Sequence, residues 1–320
     1  MKLAIVIPAY NEQERIRAVV ESIPAQLEGI KSIRVIIVDD GSVDGTVKEL
    51  DGLDIIVVRH AINMGLGRTF ADGLKKAMEL GCDSVVNMDG DGQFDPHDIP
   101  KLLRPILNNE ADFVTASRFR DKTFIPKMPK IKYWGNIFIA KIISWVLGAD
   151  FKDVSCGFRA YNKEAVLRMN LFGKFTYTQE TILDLGNKGM RIIEVPVVVQ
   201  YFPGRRSRIA ASVFWYGWKT LKIILRTVRD YKPLKFFGIL GGVIFLFGLL
   251  LDMGLIIFYF VHGSLYPYKF IGFAGSFFNI LGIIIFFLGL VADMLYRIRM
   301  NQEEILYRLK KDEYSRGRDI

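Results

Sequence analysis

Short apolar runs alternate with longer amphipathic stretches over the first 110 residues of the chain. The apolar runs predict strands over residues 3–7, 34–38, 55–59 and 84–88. The stretches between them predict helices over residues 12–26, from Thr46 onwards, and over residues 65–80. This alternation indicates an α/β fold, with a mostly parallel, doubly wound sheet that carries helices on both faces. Ligands bind at the carboxyl ends of the strands in such sheets, so we expect the polar motifs that follow the strands to form the site.

Later in the chain, residues 113–115 and 192–200 predict two more strands, and residues 130–147 and 212–229 predict amphipathic helices. The last of these helices has an apolar stripe made of Phe214, Trp218, Leu221, Leu225 and Val228. A basic stripe lies beside it, made of Lys219, Lys222, Arg226 and Arg229. This composition is typical of an interfacial helix at a membrane surface, although a helix packed on a core would show the same apolar stripe.

Two long apolar runs, residues 236–260 and 270–296, contain one ionisable residue each, Asp252 and Asp293. Each run exceeds the roughly 20 residues that cross a hydrocarbon core, so we predict two transmembrane helices rather than a buried hairpin. Lys or Arg flanks the pair at positions 232, 235, 297 and 299, whereas the loop over residues 261–269 has one Lys. We therefore expect a multi-pass protein of the cell membrane, with the catalytic domain and both termini in the cytosol. Residues 3–7, the apolar run nearest the N-terminus, are too short to be the hydrophobic core of a signal peptide.

These elements predict four segments along the chain. They are a cytosolic catalytic domain over residues 1–210, an amphipathic juxtamembrane helix over 211–235, a transmembrane domain over 236–296 and a cytosolic charged tail over 297–320. We predict no chemistry for the tail. The motif Gly238-x-x-x-Gly242 is typical of helix–helix contact and is compatible with a homo-oligomer. For Asp252 and Asp293 we expect structural pairing or interfacial placement rather than catalysis.

The formal net charge of +9 is concentrated in two stretches. Residues 203–235 hold nine Lys or Arg and one acid, and residues 118–132 hold six and one acid. Basic stretches beside a membrane anchor indicate anionic headgroups or phosphate-bearing ligands, although a solvated basic surface is the simpler alternative. We expect a membrane partner and no nucleic acid. With only Cys82 and Cys156, and with three dispersed His, neither a disulfide framework nor a His- or Cys-based metal site is expected.

The strongest local signal for chemistry is Asp89-Gly90-Asp91, directly after the strand predicted over residues 84–88. Two carboxylates two residues apart at a strand end can point to the same side and share a divalent cation. Such a cation would neutralise charge on a departing nucleoside diphosphate. An isolated Asp-x-Asp also occurs in many surface turns, so its position after a strand gives this motif its weight.

A second acidic motif, Asp39-Asp40-Gly41-Ser42, follows the strand predicted over residues 34–38. Its carboxylates can accept hydrogen bonds from a base N–H or from ribose hydroxyls. The alternative is a simple turn with a helix N-cap. The chain has no Gly-x-x-x-x-Gly-Lys-Ser/Thr motif, so a P-loop nucleotidase is not expected.

Taken in order, these and further motifs resemble glycosyltransferase family 2, which has the GT-A nucleotide-diphospho-sugar transferase fold. The motifs span residues 1–200 and are Pro8-Ala9-Tyr10-Asn11-Glu12, Asp39-Asp40-Gly41-Ser42, Asn63-x-Gly65-x-Gly67, Asp89-Gly90-Asp91-Gly92-Gln93, Ser117-Arg118-Phe119, Asp153-x-Ser155-x-Gly157-Phe158-Arg159 and Glu194-Val195-Pro196. Within the family, the chain looks like the dolichol-phosphate mannose and glucose synthases and the bacterial undecaprenyl-phosphate sugar transferases. Two spans after the catalytic domain fit that subgroup.

The resemblance implies a role for each matching residue. The nucleotide-sugar would be held by Pro8, Tyr10, Glu12, Asp39, Asp40, Asp89 and Gly90. A metal, Mg²⁺ or Mn²⁺, would be bound by Asp89, Asp91 and Gln93, which together with Glu180 are the candidate catalytic residues. Phosphate or acceptor contacts would come from Arg118, Lys132, Arg205 and Arg208.

One stretch departs from the family pattern. Relatives usually have Arg-x-x-Gly-x-Ser-Lys after the Glu-Val-Pro strand, whereas this chain reads Tyr201-Phe202-Pro203-Gly204-Arg205-Arg206-Ser207-Arg208. Ser207-Arg208 takes the place of Ser-Lys in this stretch although the Gly has moved, and Arg suits bidentate contacts with phosphate, so we expect phosphate contacts from Arg205 and Arg208.

The function that the resemblance implies is inverting transfer of a hexose from a UDP- or GDP-sugar to a polyprenyl phosphate (dolichyl or undecaprenyl) at the cytosolic membrane face. Transfer to a glycan or protein acceptor, or processive polysaccharide synthesis, is the rival enzyme function. The chain lacks the Gln-x-x-Arg-Trp motif and the additional spans of the polysaccharide synthases. A non-catalytic membrane scaffold is the alternative from another class.

Overall fold

The structure is a computed structural model of the chain and describes residues 1–126, 128–171, 177–200 and 213–316. It divides into two compact units. The α/β unit comprises Met1–Ile223 and Leu306–Ile320, and the helical unit comprises Ile224–Ile305. The chain thus leaves the α/β unit once and returns to it at the end.

The α/β unit contains one seven-stranded sheet in the order β3-β2-β1-β4-β6-β5-β7. Its strands are β1 (Lys2–Ala9), β2 (Ser32–Asp39), β3 (Ile56–Arg59), β4 (Ser84–Asn87), β5 (Phe113–Ser117), β6 (Arg159–Asn162) and β7 (Ile192–Pro196). All neighbouring strands pair in parallel except β6, which runs antiparallel to both β4 and β5. The expectation of a mostly parallel sheet is confirmed, and every strand predicted from the apolar runs is present.

Helices cover the sheet and continue into the helical unit. They are α1 (Ile16–Glu21), α2 (Leu66–Glu79), α3 (Ile99–Leu107), α4 (Lys130–Leu147), α5 (Lys163–Arg168), α6 (Thr178–Asn187), α7 (Val213–Tyr231), α8 (Pro233–His262) and α9 (Lys269–Arg316). The helix predicted from Thr46 onwards is wrong, because only a 3₁₀ turn, Lys48–Leu50, forms there. The chain turns at Gly52, which has a φ of 82° that favours glycine, and this turn leaves no room for a longer helix.

The central strands are buried on both faces, because helices cover the sheet from both sides. Residues 3–7 of β1 are completely buried, and Val85 and Val86 of β4 lie beside them in the sheet. Gly73 of α2 allows this helix to pack closely, since a Cβ there would lie 2.3 Å from the Val6 side chain. The rigid centre of the sheet therefore positions the loops that follow β1, β2 and β4.

The helical unit contains two helices long and apolar enough to cross a membrane, Pro233–His262 and Lys269–Ser315. Little of either apolar window is buried within the chain, unlike the core helix of a soluble protein. A helix of 30 residues is about 45 Å long, which exceeds the roughly 30 Å hydrocarbon core of a bilayer. The two predicted apolar spans are therefore present as candidate membrane-spanning helices.

Glycines bring these two helices into close contact. A Cβ at Gly241 would lie 2.7 Å from Gly282 O, and one at Gly248 would lie 2.7 Å from Gly275 O. Small residues allow this backbone approach between membrane helices. Gly238 and Gly242 are different, since among the described residues nothing lies within 4 Å of a Cβ at either. The homo-oligomer contact expected for the Gly238-x-x-x-Gly242 motif stays a prediction.

A polar contact accompanies the glycine packing. Asn279 Nδ2 donates to Asp252 Oδ2 at 2.7 Å, joining α9 to α8. Asp293 lies one turn before Arg297 and accepts from it at 3.2 Å. Both acids thus have hydrogen-bonding partners within the helical unit, in agreement with the expected structural pairing.

Candidate active site

The sheet order places the ends of β2, β1 and β4 side by side. The loop after β1 carries Tyr10 and Glu12, the end of β2 carries Asp39 and Asp40, and the loop after β4 carries Asp89, Gly90, Asp91 and Gln93. Parallel strands have their carboxyl ends at the same edge, so three separate sequence motifs meet there. Pro8 is buried as the second-last residue of β1, where its carbonyl lies 3.4 Å from a Cβ placed on Gly90.

Hydrogen bonds lock the loop after β1 to the loop after β2. Asn11 N–H donates to Ser42 Oγ at 2.9 Å, and Glu12 N–H donates to Thr46 Oγ1 at 2.8 Å. Val43 N–H donates back to Asn11 Oδ1 at 2.9 Å. Asn11 has a left-handed φ of 53°, which Asn tolerates better than most residues. These side chains therefore shape the floor of the site rather than cap a helix.

Asp40, predicted to bind the nucleotide, is 4% exposed and holds the loop between β3 and α2. One of its oxygens accepts from Met64 N–H at 2.8 Å and lies 2.8 Å from His60 Nδ1, and the other accepts from Gly65 N–H at 2.9 Å. His60 Nε2 lies 3.1 Å from Asp72 Oδ2. The nucleotide contact of Asp40 stays a prediction, because the structure shows only its role in ordering this loop.

Asp39 is fully buried beside it. One oxygen accepts from Ser42 N–H at 3.2 Å, whereas the other lies 3.3 Å from Arg59 Nε without a well-aligned hydrogen bond. A buried carboxylate oxygen without a hydrogen bond can accept one from a ligand. The Arg59 side chain beside it is 62% exposed. The nucleotide contact of Asp39 stays a prediction.

Asp89 packs directly against the backbone of Gly157. The antiparallel pairing of β6 sets Asn87 opposite Arg159, which brings the start of β6 to the end of β4. A Cβ on Gly157 would lie 2.7 Å from Asp89 Oδ2, closer than side chains approach. Asn87 Nδ2 holds this strand by donating to Gly157 O at 2.8 Å. The position of the Asp89 carboxylate therefore depends on a glycine 68 positions along the chain.

Asp91 is half-buried, and its Oδ1 accepts from Gln93 N–H at 3.0 Å. Within the described residues, no group of three or more His, Cys, Asp or Glu side chains could hold a metal ion. Asp89 and Asp91 would therefore supply only part of the coordination shell of a divalent cation. That donor set fits Mg²⁺ or Mn²⁺, which keep oxygen ligands from water and from substrate phosphates in such sites.

Tyr177 fastens the start of α6 to the same region. Its hydroxyl accepts from Asn87 Nδ2 at 2.6 Å and donates to Gly157 O at 3.3 Å, and its ring stacks on Phe70 at 4.0 Å. Burial raises the pKa of Tyr177 well above its usual value, and the Asp89 charge adds to that rise. Glu180 lies in the first turn of α6, so this anchor places the predicted catalytic Glu180 on a helix tied to β4.

Arg118, predicted to contact phosphate, is paired with a buried carboxylate. Its Nε lies 2.6 Å from Asp153 Oδ2, and a terminal nitrogen lies 2.9 Å from Oδ1. Burial alone would raise the pKa of Asp153, but the Arg118 charge and hydrogen bonds lower it below its usual value. The Arg118 side chain is only 12% exposed. The structure thus gives Arg118 a structural partner, and its phosphate contact stays a prediction.

The remaining predicted phosphate ligands are described only in part. Lys132 lies half-buried in the first turn of α4. Arg205 and Arg208 lie outside the described residues.

Sequence reasoning assigned no role to Asn87, Gly157 or Tyr177, nor to the partner of Arg118. Asn87 was a polar residue inside an otherwise apolar strand, and this was the one usable signal. Gly157 and Asp153 stood in a family motif without any local pattern that points to Asp89 or Arg118. Their contacts join residues 35 to 90 positions apart, which no local pattern reports.

Comparison with known proteins agrees with this architecture. The chain is 35% identical over 218 residues to the UDP-N-acetylglucosamine–dolichyl-phosphate N-acetylglucosaminyltransferase of Methanococcus voltae, covering 62% of this chain and 85% of that protein. It is 28% identical over 218 residues to the undecaprenyl-phosphate mannosyltransferase of Micrococcus luteus, covering 62% and 83% respectively. Both relatives are transferases that act on a polyprenyl-type phosphate by name.

A solved structure shows the same fold. Glucosyl-3-phosphoglycerate synthase of Mycobacterium tuberculosis, in complex with Mn²⁺, UDP-glucose and phosphoglyceric acid, superposes with a TM-score of 0.55 at 19% identity. The match covers 71% of this chain and 79% of that chain. The expected GT-A-like sheet is therefore confirmed. Residues 4–169 match the sequence profile described as Glycosyl transferase family 2. The chain belongs to glycosyl transferase family 2 and is a glycosyltransferase.

Proposed function

We propose that this glycosyltransferase moves a sugar from a UDP- or GDP-sugar to the phosphate of a polyprenyl lipid at the cytosolic membrane face. The proposal rests on one combination in a single chain, a carboxylate pair at the carboxyl edge of a GT-A sheet and two apolar helices with little burial. The helices would hold the site at the surface where a lipid phosphate lies, which raises its effective concentration. The Methanococcus and Micrococcus relatives support the same acceptor class.

Helix α4 supports a lipid acceptor, because it is apolar on two faces. One face is buried on the α/β unit through Ile139, Ala140, Ile143 and Val146. The other is exposed and carries Ile131, Trp134, Phe138 and Trp145. The helix has three Lys and no acid. Aromatic side chains with nearby Lys are typical of surfaces that meet lipid headgroups.

The donor would bind across the ends of β1, β2 and β4. We assign to the nucleotide Tyr10 and Glu12, in the loop after β1, and Asp39, at the end of β2, with Asp40 ordering the adjacent loop. Asp89, Asp91 and Gln93 would hold a divalent cation together with the diphosphate. When bound, that cation would neutralise charge on the departing nucleoside diphosphate.

The acceptor needs little activation. The second pKa of a phosphate monoester is about 6, so a lipid phosphate is largely dianionic at neutral pH. A nucleophile already ionised needs no strong general base. The protein then has to orient the two substrates and to offset repulsion between their phosphates. We assign the second task to Lys132, since Arg118 is already paired with Asp153. Attack opposite the leaving group inverts the anomeric centre.

The proposal includes an even number of membrane crossings. It is supported by the chain path, because residues before and after the helical unit belong to the same α/β unit. The basic residues at both outer ends of the spans favour the cytosolic side for the α/β unit and both termini.

Replacing Gly157 by Ala is expected to lower the rate of sugar transfer by roughly 100-fold, because the new Cβ would displace the Asp89 carboxylate. A displacement of about 1 Å of a catalytic group can lower a rate by about this factor. Gly157 does not have a positive φ, so the backbone tolerates Ala and the fold should persist. Initial transfer rates and donor affinity with and without Mn²⁺ measure the effect.

Gly254→Ala is the matched control, since among the described residues nothing lies within 4 Å of a Cβ there. Gly254→Ala should behave as wild type. A Gly157→Ala enzyme with unchanged rate and unchanged metal-dependent donor binding would contradict the placement of Asp89.

The decisive experiment for the function is transfer of radiolabelled sugar by the full-length protein in membranes. UDP-N-acetylglucosamine is tested first, followed by other UDP- and GDP-sugars, with polyprenyl phosphate as acceptor and with or without EDTA. We expect an organic-soluble labelled lipid that disappears with EDTA and returns with Mg²⁺ or Mn²⁺.

The rival functions predict other products. Label in a polymer or a protein alone would exclude the lipid-phosphate acceptor and favour polysaccharide synthesis or protein glycosylation. Absence of transfer with every donor, together with absence of metal-dependent donor binding, would favour the scaffold.

A further inference from the structure

The charged tail, for which the sequence predicts no chemistry, is part of the α/β unit from Leu306 onwards. We call residues 306–316 the C-terminal segment; it is the last part of the continuous helix α9. A charged helix end with no role would be solvated on all sides. This one has Tyr307 and Lys310, which lie on one side of the helix, in contact with α5 and the residues after it.

Tyr307 is the buried residue of this face, with 8% exposure. Its hydroxyl donates to Glu164 Oε2 at 2.8 Å, and the Arg168 guanidinium lies 4.1 Å from the centre of its ring. Both partners belong to α5. A buried Tyr with a satisfied hydroxyl and a cation over its face is a specific contact rather than a loose association.

Lys310 lies one turn later and binds the end of α5. Its ammonium donates to Met169 O and Asn170 Oδ1, both at 3.0 Å, and lies 3.4 Å from Leu167 O. The last carbonyls of a helix have no partner within the helix, and a cation is favoured there. Lys310 therefore caps α5 from a distant part of the chain.

A second lysine links this cap to α6. Lys188 donates to Arg168 O at 2.7 Å and lies 2.8 Å from Asp184 Oδ1. Asn170 N–H donates to Asp184 Oδ2 at 3.0 Å. The residues after α5 are thus held between the C-terminal segment on one side and α6 on the other.

Helix α6 is also the helix that Tyr177 ties to the end of β4 and whose first turn carries Glu180. A continuous set of hydrogen bonds therefore connects Lys310 to α6.

We propose that the C-terminal segment is a functional part of the catalytic unit, and that Lys310 is a positioning residue which sets the turnover number by holding α5 and α6 in register. The kinetic consequence rests on the proposed function. None of the described hydrogen bonds of Lys310 involves the nucleotide residues at the ends of β1 and β2, so we expect turnover to change more than donor affinity.

The test compares Lys310→Met, Lys310→Arg and Lys311→Met in the full-length protein. Lys311 is the matched control, because it is adjacent, exposed and equally charged. Its described contact is a distant one, with its ammonium 5.7 Å from the centre of the Tyr307 ring. Lys310→Met leaves part-buried carbonyls without their donor, and we expect kcat to fall roughly tenfold with a much smaller change in donor KM. Lys310→Arg should restore most of the rate, and Lys311→Met should match wild type.

Hydrogen exchange of the α6 amides supplies a readout independent of activity. Lys310→Met should exchange faster than wild type over Thr178–Asn187, with no change in β1 and β2. Wild-type turnover and exchange in Lys310→Met would overturn the proposal. A fall in kcat with an equally large rise in donor KM, not restored in Lys310→Arg, would also overturn the proposal, because general damage to the fold affects both constants. If the wild type transfers no sugar to polyprenyl phosphate, the proposed function fails while the exchange result still decides this inference.

Discussion

Replacing Asp91 by Asn is expected to reduce sugar transfer by at least about 10³-fold, because a bound cation supplies several kcal/mol of charge stabilisation to the leaving group. Asn retains an oxygen that accepts from Gln93 N–H, so the turn after β4 should keep its shape. The substitution removes the charge alone. Initial rates under saturating donor and acceptor measure the loss, and metal-dependent donor binding should weaken in parallel.

Asp95→Asn is the control for this prediction. Asp95 lies four positions further along the same loop and accepts from His97 N–H at the start of a 3₁₀ turn, a role that Asn also fills. It should retain wild-type activity. Retention of full activity by Asp91→Asn would remove the metal site from this loop, whatever the acceptor proves to be.

Replacing Arg118 by Met should destabilise the α/β unit by about 3–5 kcal/mol, because it leaves the buried Asp153 carboxylate without its cation. For a unit of this size, such a loss lowers the unfolding midpoint by roughly 10 °C. Thermal unfolding of the full-length protein in detergent at pH 7 measures it. Loss of activity without loss of stability would instead favour the phosphate contact predicted for Arg118.

The same pair predicts opposite pH dependences for the two proteins. In the wild type the pKa of Asp153 is lowered from 3.8. The ionised Asp153 therefore stabilises the folded state above pH 3.8, and this stabilisation is lost as pH falls through the folded-state pKa. Without Arg118, burial is left to raise the pKa, so the variant loses stability as pH rises. The gap between the midpoints of variant and wild type should therefore narrow from pH 7 to pH 5.

Arg17→Met is the matched control for Arg118→Met. Arg17 pairs with Glu21 one helical turn later, and both side chains are about half exposed, so water screens that pair. Its midpoint should stay close to that of wild type at both pH values. An equal loss in both variants would mean that burial of Asp153 is not the cause.

The meeting of the acidic motifs at one edge of the sheet could be predicted, because each motif is local in sequence. Tyr10, Asp39, Asp89 and Asp91 each follow an apolar run, and a parallel sheet brings the ends of such runs to one edge. The two spans could be predicted for a similar reason, since length and the absence of charge decide whether a helix can cross a bilayer.

Contacts within that site were harder to predict. Asp40 belongs to a motif expected to bind nucleotide, yet its oxygens meet His60, Met64 and Gly65, some 20 positions further along. Arg118 was expected to meet phosphate, and the sequence did not indicate that it also pairs with the buried Asp153. A charged side chain at a strand end has the same sequence pattern whether its partner is a ligand or another residue.

The amino-acid sequence by itself determined the sheet, the edge that carries the acidic motifs, the two apolar helices and the family, because these depend on periodicity, composition and short motifs. Only the tertiary structure decided that β6 runs antiparallel and sets Gly157 against Asp89, that Tyr177 ties α6 to β4, and that Lys310 returns to cap α5. Each of these contacts joins residues far apart in the chain. Their energy comes from burial and hydrogen bonding that exist only once the sheet has assembled, so no local pattern encodes them.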